Sequence, residues 1–179
     1  SSLTEVFPKI DPGATYNFAG SDDLATQIQE GAPADVYAAA STKYPDELYA
    51  AGLVDKPEVF ATNKLVLIVP KANPAGIKSV DDLKSKDVKL VIGAEGVPIG
   101  DYTRQLLRRL HLSSILSSNT VSQETNVANI TSKVALGSAD AGFVYATDRK
   151  SAADRVSGIS LPRWAQPPVR YAICAVRRL

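Results

Sequence analysis

The sequence predicts an α/β fold. Three observations carry the prediction. Runs of β-branched and leucine residues read as buried strands, apolar residues recur at helical spacing between those runs, and small turn-forming residues mark the changes from one to the other. Alternation of this kind over most of a chain favours largely parallel sheets with helices packed on their faces.

In chain order, Ser1-Ser2-Leu3-Thr4 precedes a short apolar-periodic segment for which Ser2 or Thr4 is a cap. Residues 14–18 are short and β-prone, and a helix over 24–29 follows the Gly20-Ser21-Asp22-Asp23 turn. Residues 35–39 (DVYAA) come after Gly-Ala-Pro and read as a strand. Residues 43–51 read as a helix stopped by Gly52. The run KLVLIV at 64–69 is apolar at successive positions and ends at Pro70, as expected of a strand buried on both faces. Residues 79–84 (SVDDLK) carry a cap pattern, and 89–93 (KLVIG) read as another buried strand. Helices are predicted over 102–110, with Leu106, Leu107 and Leu110 on one face, and over 126–136, with Val127, Ile130 and Val134 on one face. Residues 141–145 (AGFVY) and 170–176 (RYAICAV) complete the strands. Residues 148–168 show little periodicity and are predicted to be irregular connection.

With 179 residues, 45% hydrophobic and 22% charged, the chain has an ordinary globular composition, enough for one large domain or two small lobes. Its net charge is +1, from 20 basic and 19 acidic side chains, which gives no sign of a nucleic-acid surface. No apolar run reaches the roughly 18 residues of a membrane span. The one cysteine, Cys174, lies in an apolar stretch and is predicted to be a buried, inert thiol. The chain starts at Ser1 and contains no Met, so any signal peptide or lipid-bearing Cys would lie upstream.

Several chemistries have no residues to support them. The one histidine, His111, lies between leucines after a basic helix. With one His and one Cys, a soft-metal site or a Ser-His-Asp triad lacks its parts. There is neither a GxGxxG nor a Walker A sequence. What the sequence does contain is a set of strand-to-helix turns: Gly20-Ser21-Asp22-Asp23, the stretch from Gly96 to Asp101, and Thr125-Asn126. In open α/β sheets ligands bind beyond the carboxyl ends of strands, where helix N-termini offer free N–H groups suited to an anion. Each turn taken alone reads first as plain helix capping, and only the combination points to a ligand.

Five motifs, SSLTEVF, FAGSDDLATQIQEGAPADVYAAAS, NKLVLIVPKANP, GVPIGDYTRQLL and SADAGFVYATD, together resemble the periplasmic molybdate-binding proteins of ABC transporters, within the type II solute-binding fold. They extend from Ser1 to Asp148, and RYAICAV is similar to the family's late strand. The resemblance implies two α/β lobes with a ligand cleft between them. Residues 1–70 and 148–179 would form lobe 1 and residues 71–147 lobe 2, with crossings near 69–72 and 146–149. It also implies an oxyanion cage without counter-charge, made of the Ser2 and Ser21 hydroxyls, the backbone N–H groups of Ile99 and Val127, and the Tyr145 hydroxyl. Where the family has a small residue, Ile99 stands here, and Thr125-Asn126-Val127 replaces Glu-Asp-Val. The family's first strand would precede Ser1 and its last helix would follow Leu179.

The resemblance therefore implies a non-enzymatic monomer, periplasmic or extracellular and membrane-anchored through an upstream lipid. It would bind molybdate or tungstate without any cofactor or cation ligand and deliver it to a membrane permease. Sulfate, phosphate or a small organic anion remains an alternative ligand. A ligand-sensing effector domain of a regulator remains an alternative role.

Overall fold

The structure, a computed structural model, describes residues 3–85 and 87–177. Among them, helices and strands follow in the order α1 (Phe7–Ile10), α2 (Ser21–Gln29), β1 (Val36–Ala39), α3 (Lys43–Ala50), β2 (Glu58–Asn63) and β3 (Leu65–Pro70). Then come β4 (Leu90–Gly93), α4 (Pro98–Arg109), α5 (Ile115–Ser118), β5 (Thr120–Glu124) and α6 (Val127–Ala135). The last are β6 (Ala141–Tyr145), α7 (Ala146–Ser151), β7 (Val156–Ile159) and β8 (Val169–Ala175). The expected SVDD cap is present: Ser79 and Asp82 form a capping box at the head of a short 3-10 helix, Val80–Lys84.

The strands form two sheets, one of three strands in the order β1-β8-β2 and one of five in the order β5-β4-β6-β3-β7. Pairing is mixed where parallel strands were expected. β4 runs parallel to β5 and β6. β3 is antiparallel to β6 and β7, and β8 is antiparallel to β1 and β2. The α/β class stands, and the antiparallel pairs arise where the chain returns from one sheet to the other.

Those crossings lie elsewhere than at 69–72 and 146–149. β3 pairs with β6 and β7 along its length, so the chain changes sheets between β2 and β3, at Lys64. It changes back between β7 and β8, within 160–168. The KLVLIV run is apolar on both faces because it is an interior strand of the larger sheet. Gln166 staples the two crossings together: its side-chain amide accepts from Leu65 N at 2.9 Å and donates to Leu65 O at 2.8 Å. Asn63 bonds Thr147 Oγ1 and the Tyr171 hydroxyl, each at 3.0 Å, alongside this staple.

Other expectations shift at the level of single elements. Residues 14–18 form no strand; Tyr16 and Phe18 instead stack at 5.6 Å, and the Tyr16 hydroxyl bonds the carbonyls of Phe7 and Asp11. The stretch 148–168, expected to be irregular, contains most of α7, all of β7 and a 3-10 turn at Arg163–Ala165. His111 takes a left-handed conformation (φ 57°) just past the α4 C-cap, a chain-terminating role for the helix. Cys174 is buried, as expected, with Sγ 3.7 Å from the Tyr37 carbonyl.

The larger core surrounds the five-stranded sheet, with Leu67, Leu90, Leu106, Leu107, Ile130 and Phe143 fully buried. A smaller core lies between α2, α3 and the three-stranded sheet, built from Ala25, Ile28, Tyr37, Ala39, Leu48, Val54 and Cys174.

Candidate functional site

A cavity of about 690 Å³ lies where the two sheets meet. Ser21, Ile99, Val127 and Tyr145 all line it. Ser2, the fifth residue of the expected cage, lies outside the described residues.

Three helices begin at this cavity. Ser21 is the first residue of α2 after the N-cap Gly20, Ile99 the second of α4 after Val97, and Val127 the first of α6 after Asn126. N–H groups in a first helical turn have no intrahelical acceptor, and the helix dipole adds partial positive charge there. Asn126 caps α6 through its side chain, accepting from Asn129 N at 3.0 Å, which leaves the Val127 N–H without that partner. Pro98 supplies a preset φ at the start of α4.

The turns are tight because two glycines allow it. A Cβ at Gly100 would stand 2.0 Å from the Ala94 carbonyl oxygen and 2.5 Å from that of Gly93, so the head of α4 lies directly on the end of β4. A Cβ at Gly20 would stand 2.7 Å from the Thr125 carbonyl oxygen, so the head of α2 touches the segment entering α6.

The hydroxyl donors are held differently. Ser21 Oγ accepts from Ala40 N at 3.2 Å, and the Ser21 carbonyl accepts from the Tyr37 hydroxyl at 2.6 Å. The hydroxyl oxygen is thus positioned by backbone while its proton remains available to donate. The turn at 20–23, which no strand precedes among the described residues, offers Ser21 either a capping or a binding role. Gly20 is the N-cap, and Ser21 Oγ is engaged by Ala40 N of the opposite segment.

Tyr145 is 2% exposed, and its hydroxyl has no hydrogen-bond partner among the described residues. Edge-on packing against Tyr171 at 5.6 Å and Tyr102 at 6.5 Å fixes the ring. Burial pushes its pKa well above the ordinary tyrosine value, so it is a neutral donor across the physiological range. An unpaired buried hydroxyl costs free energy unless something occupies the space in front of it.

No Lys, Arg or His lines the cavity among the described residues. Asp22 and Asp23 do not line it either, although Asp22 Oδ1 is buried without a hydrogen-bond partner and burial raises the Asp22 pKa. Asp35 is the one charged residue among the described lining residues; the donors themselves are neutral N–H and O–H groups suited to an anion, and among the described residues no group of acidic, His or Cys side chains could hold a metal cation. Tyr16, Phe18, Ile28 and Pro33 also line the cavity, as do Val36 and Tyr37 of the edge strand β1.

Sequence reasoning missed the residues that hold the donors in place. Tyr37 has a partial signal, as an inward position in the alternating DVYAA strand, whereas Tyr171 and Tyr102 reach the site only through tertiary packing.

Residues 13–178 match a family described as bacterial extracellular solute-binding protein. The chain is 38% identical to the molybdate-binding protein ModA of Mycobacterium tuberculosis (strain H37Rv), covering 99% of this chain and 68% of that protein. It is 32% identical to the molybdate-binding protein ModA of Haemophilus influenzae, covering 90% of this chain and 66% of that protein. Among solved structures, the periplasmic molybdate-binding protein of Azotobacter vinelandii superposes with a TM-score of 0.81 at 25% identity, covering 97% of this chain and 78% of that one.

Proposed function

The chain belongs to the bacterial extracellular solute-binding protein family, and on that premise we propose that it captures molybdate or tungstate and delivers it to the membrane permease of an ABC transporter. Ser21, Ile99, Val127 and Tyr145 are the donors in this reading, with Ser2 completing the set. Family membership places the chain outside the cytoplasm, and the proposed attachment is a lipid upstream of Ser1.

The observation that carries the reading is the buried, unpaired Tyr145 hydroxyl facing a cavity on which three helix N-termini converge. A tetrahedral dianion entering from water loses its hydration shell. N–H and O–H dipoles replace that shell without neutralising the charge, so the anion stays ionised. The donors come from both sheets: Ser21 from the unit with β1, and Ile99, Val127 and Tyr145 from the unit with β4 and β6. Binding then draws the two units together as lobes around the anion, and the closed form is what the permease meets.

The test is calorimetric titration with sodium molybdate, tungstate, sulfate and phosphate. Molybdate and tungstate are expected to bind at least about 100-fold more tightly than sulfate, a gap of roughly 2.7 kcal/mol. Equal affinity for sulfate sinks the molybdate assignment, and the absence of binding by every oxyanion sinks the cage.

A further inference from the structure

We propose that Tyr44, with Lys43 and Asp101, forms a latch that holds the two lobes closed and sets how long the bound anion stays. The proposal rests on the oxyanion-binding reading for its ligand, and on geometry alone for its mechanics.

Tyr44 lies in the first turn of α3, in the three-stranded lobe. Its hydroxyl donates to the Gly96 carbonyl of the five-stranded lobe at 2.5 Å. Gly96 has φ +87°, a left-handed conformation that orients this carbonyl, and a Cβ there would stand 3.3 Å from the Tyr44 hydroxyl oxygen. Asp101, in the first turn of α4, accepts from Gly96 N at 2.9 Å through Oδ1. Its other oxygen lies 3.8 Å from Lys43 Nζ, which in turn lies over the Tyr44 ring at 4.8 Å. One side of the cleft thus grips the turn at Gly96 on the other, and the next residues of that turn, Val97, Pro98 and Ile99, line the cavity.

This contact differs in kind from the side-chain hydrogen bonds beside the crossings. Gln166 with Leu65, and Asn63 with Thr147 and Tyr171, lie beside the covalent crossings and can persist while the lobes rotate. Neither α3 nor α4 carries a crossing, so separating the lobes at the cleft breaks the Tyr44–Gly96 bond. The Lys43–Asp101 pair is partly exposed and at the outer limit of an ion pair, so it contributes less than the hydroxyl. Because the latch restrains the turn that presents the Ile99 N–H, opening it also withdraws a donor from the anion. Tyr44 is thus a positioning residue that does not itself touch the ligand.

The experiment measures lobe separation and ligand exchange independently. Spin labels on Gln29→Cys and Leu136→Cys, exposed sites on α2 and just past α6, report the inter-lobe distance by pulsed dipolar spectroscopy. The distance is recorded in the otherwise unchanged chain, in Tyr44→Phe and in Asp101→Asn, with and without sodium molybdate. Tyr44→Phe removes one hydroxyl and keeps the ring. Asp101→Asn keeps the acceptor for Gly96 N and removes the charge.

Tyr44→Phe is expected to shift the ligand-free distribution to longer separations. It should also raise the molybdate dissociation rate about 3- to 10-fold, with the association rate within about twofold. Asp101→Asn should do the same more weakly. Superimposable distance distributions for the parent and Tyr44→Phe overturn the latch, whatever the kinetics show. If the parent binds no molybdate while Tyr44→Phe still lengthens the separation, the latch stands and the oxyanion reading falls.

Discussion

The two lobes are built to different standards. The five-stranded sheet is enclosed by helices and by a core in which Leu67, Leu90, Leu106 and Leu107 have no exposure. The three-stranded sheet rests on seven buried residues among those described, two of them alanines, and its strand β1 is an edge. Burial of apolar area is the main stabilising term, so the larger lobe has the greater independent stability. The proposed site draws on both in proportion: three of the four described residues proposed as donors come from the well-buried lobe and one, Ser21, from the lighter one. A rigid half can hold a preformed set of donors while the lighter half completes it.

The largest test of that asymmetry is in the cores. Leu106→Ala and Leu48→Ala each remove a fully buried leucine, at a cost of about 3–5 and about 2–4 kcal/mol respectively. Hydrogen exchange should show Leu48→Ala deprotecting α2 and α3 while the amides of β4 and β6 stay slow, because the smaller core depends on Leu48 for its bulk. Equal loss of protection in β4 would show a single cooperative unit and end the comparison.

A second test uses Asp148, on α7 beside the larger sheet. It is 8% exposed, Oδ2 has no hydrogen-bond partner among the described residues, and burial raises its pKa to about 6. An acid whose folded pKa is raised contributes stability below its unfolded value. That contribution is lost as pH rises through the folded pKa, here between about pH 4 and pH 6. Asp148→Asn should therefore raise stability at pH 7 by up to about 3 kcal/mol and flatten the acid side of the stability profile. Denaturant midpoints measured at pH 4 and pH 7 decide it: an unchanged difference between the two would mean that the carboxylate is solvated.

The smallest effects are at the donors. Tyr145→Phe should weaken molybdate binding by about 2–3 kcal/mol, and Ser21→Ala by about 1–2 kcal/mol, since Tyr145 is the more deeply buried. Titration of both variants ranks them. A larger loss at Ser21 would place the main share of the binding energy in the lighter lobe.

What the sequence made legible follows the same division. The buried strands β3, β4 and β6 and the amphipathic faces of α4 and α6 are all in the larger lobe, where apolar runs are long enough to read. β2 was missed because its side chains are mostly exposed, so EVFATN shows no apolar alternation. β5 was missed because it is a polar edge strand. The β-prone residues 14–18 have no partner strand and stack their aromatics on each other instead. Helices α2 and α4 begin earlier than expected because Ser21 and Pro98 serve as first-turn residues, one step inside the cap. Four of the five residues that the family resemblance supplied line one cavity. The groups that orient them do not announce themselves, since Tyr44 meets Gly96 across 52 positions and Gln166 meets Leu65 across 101.

The absence of lysine, arginine and histidine from the described cavity wall has a consequence for the protein as a particle. In the proposed reading, a dianion taken up without any ion in exchange adds its whole charge to the protein and shifts it two units toward negative. The loaded form would then migrate further toward the anode near pH 7 than the empty one. The molecule's charge, as well as its shape, would then tell a binding partner whether cargo is aboard.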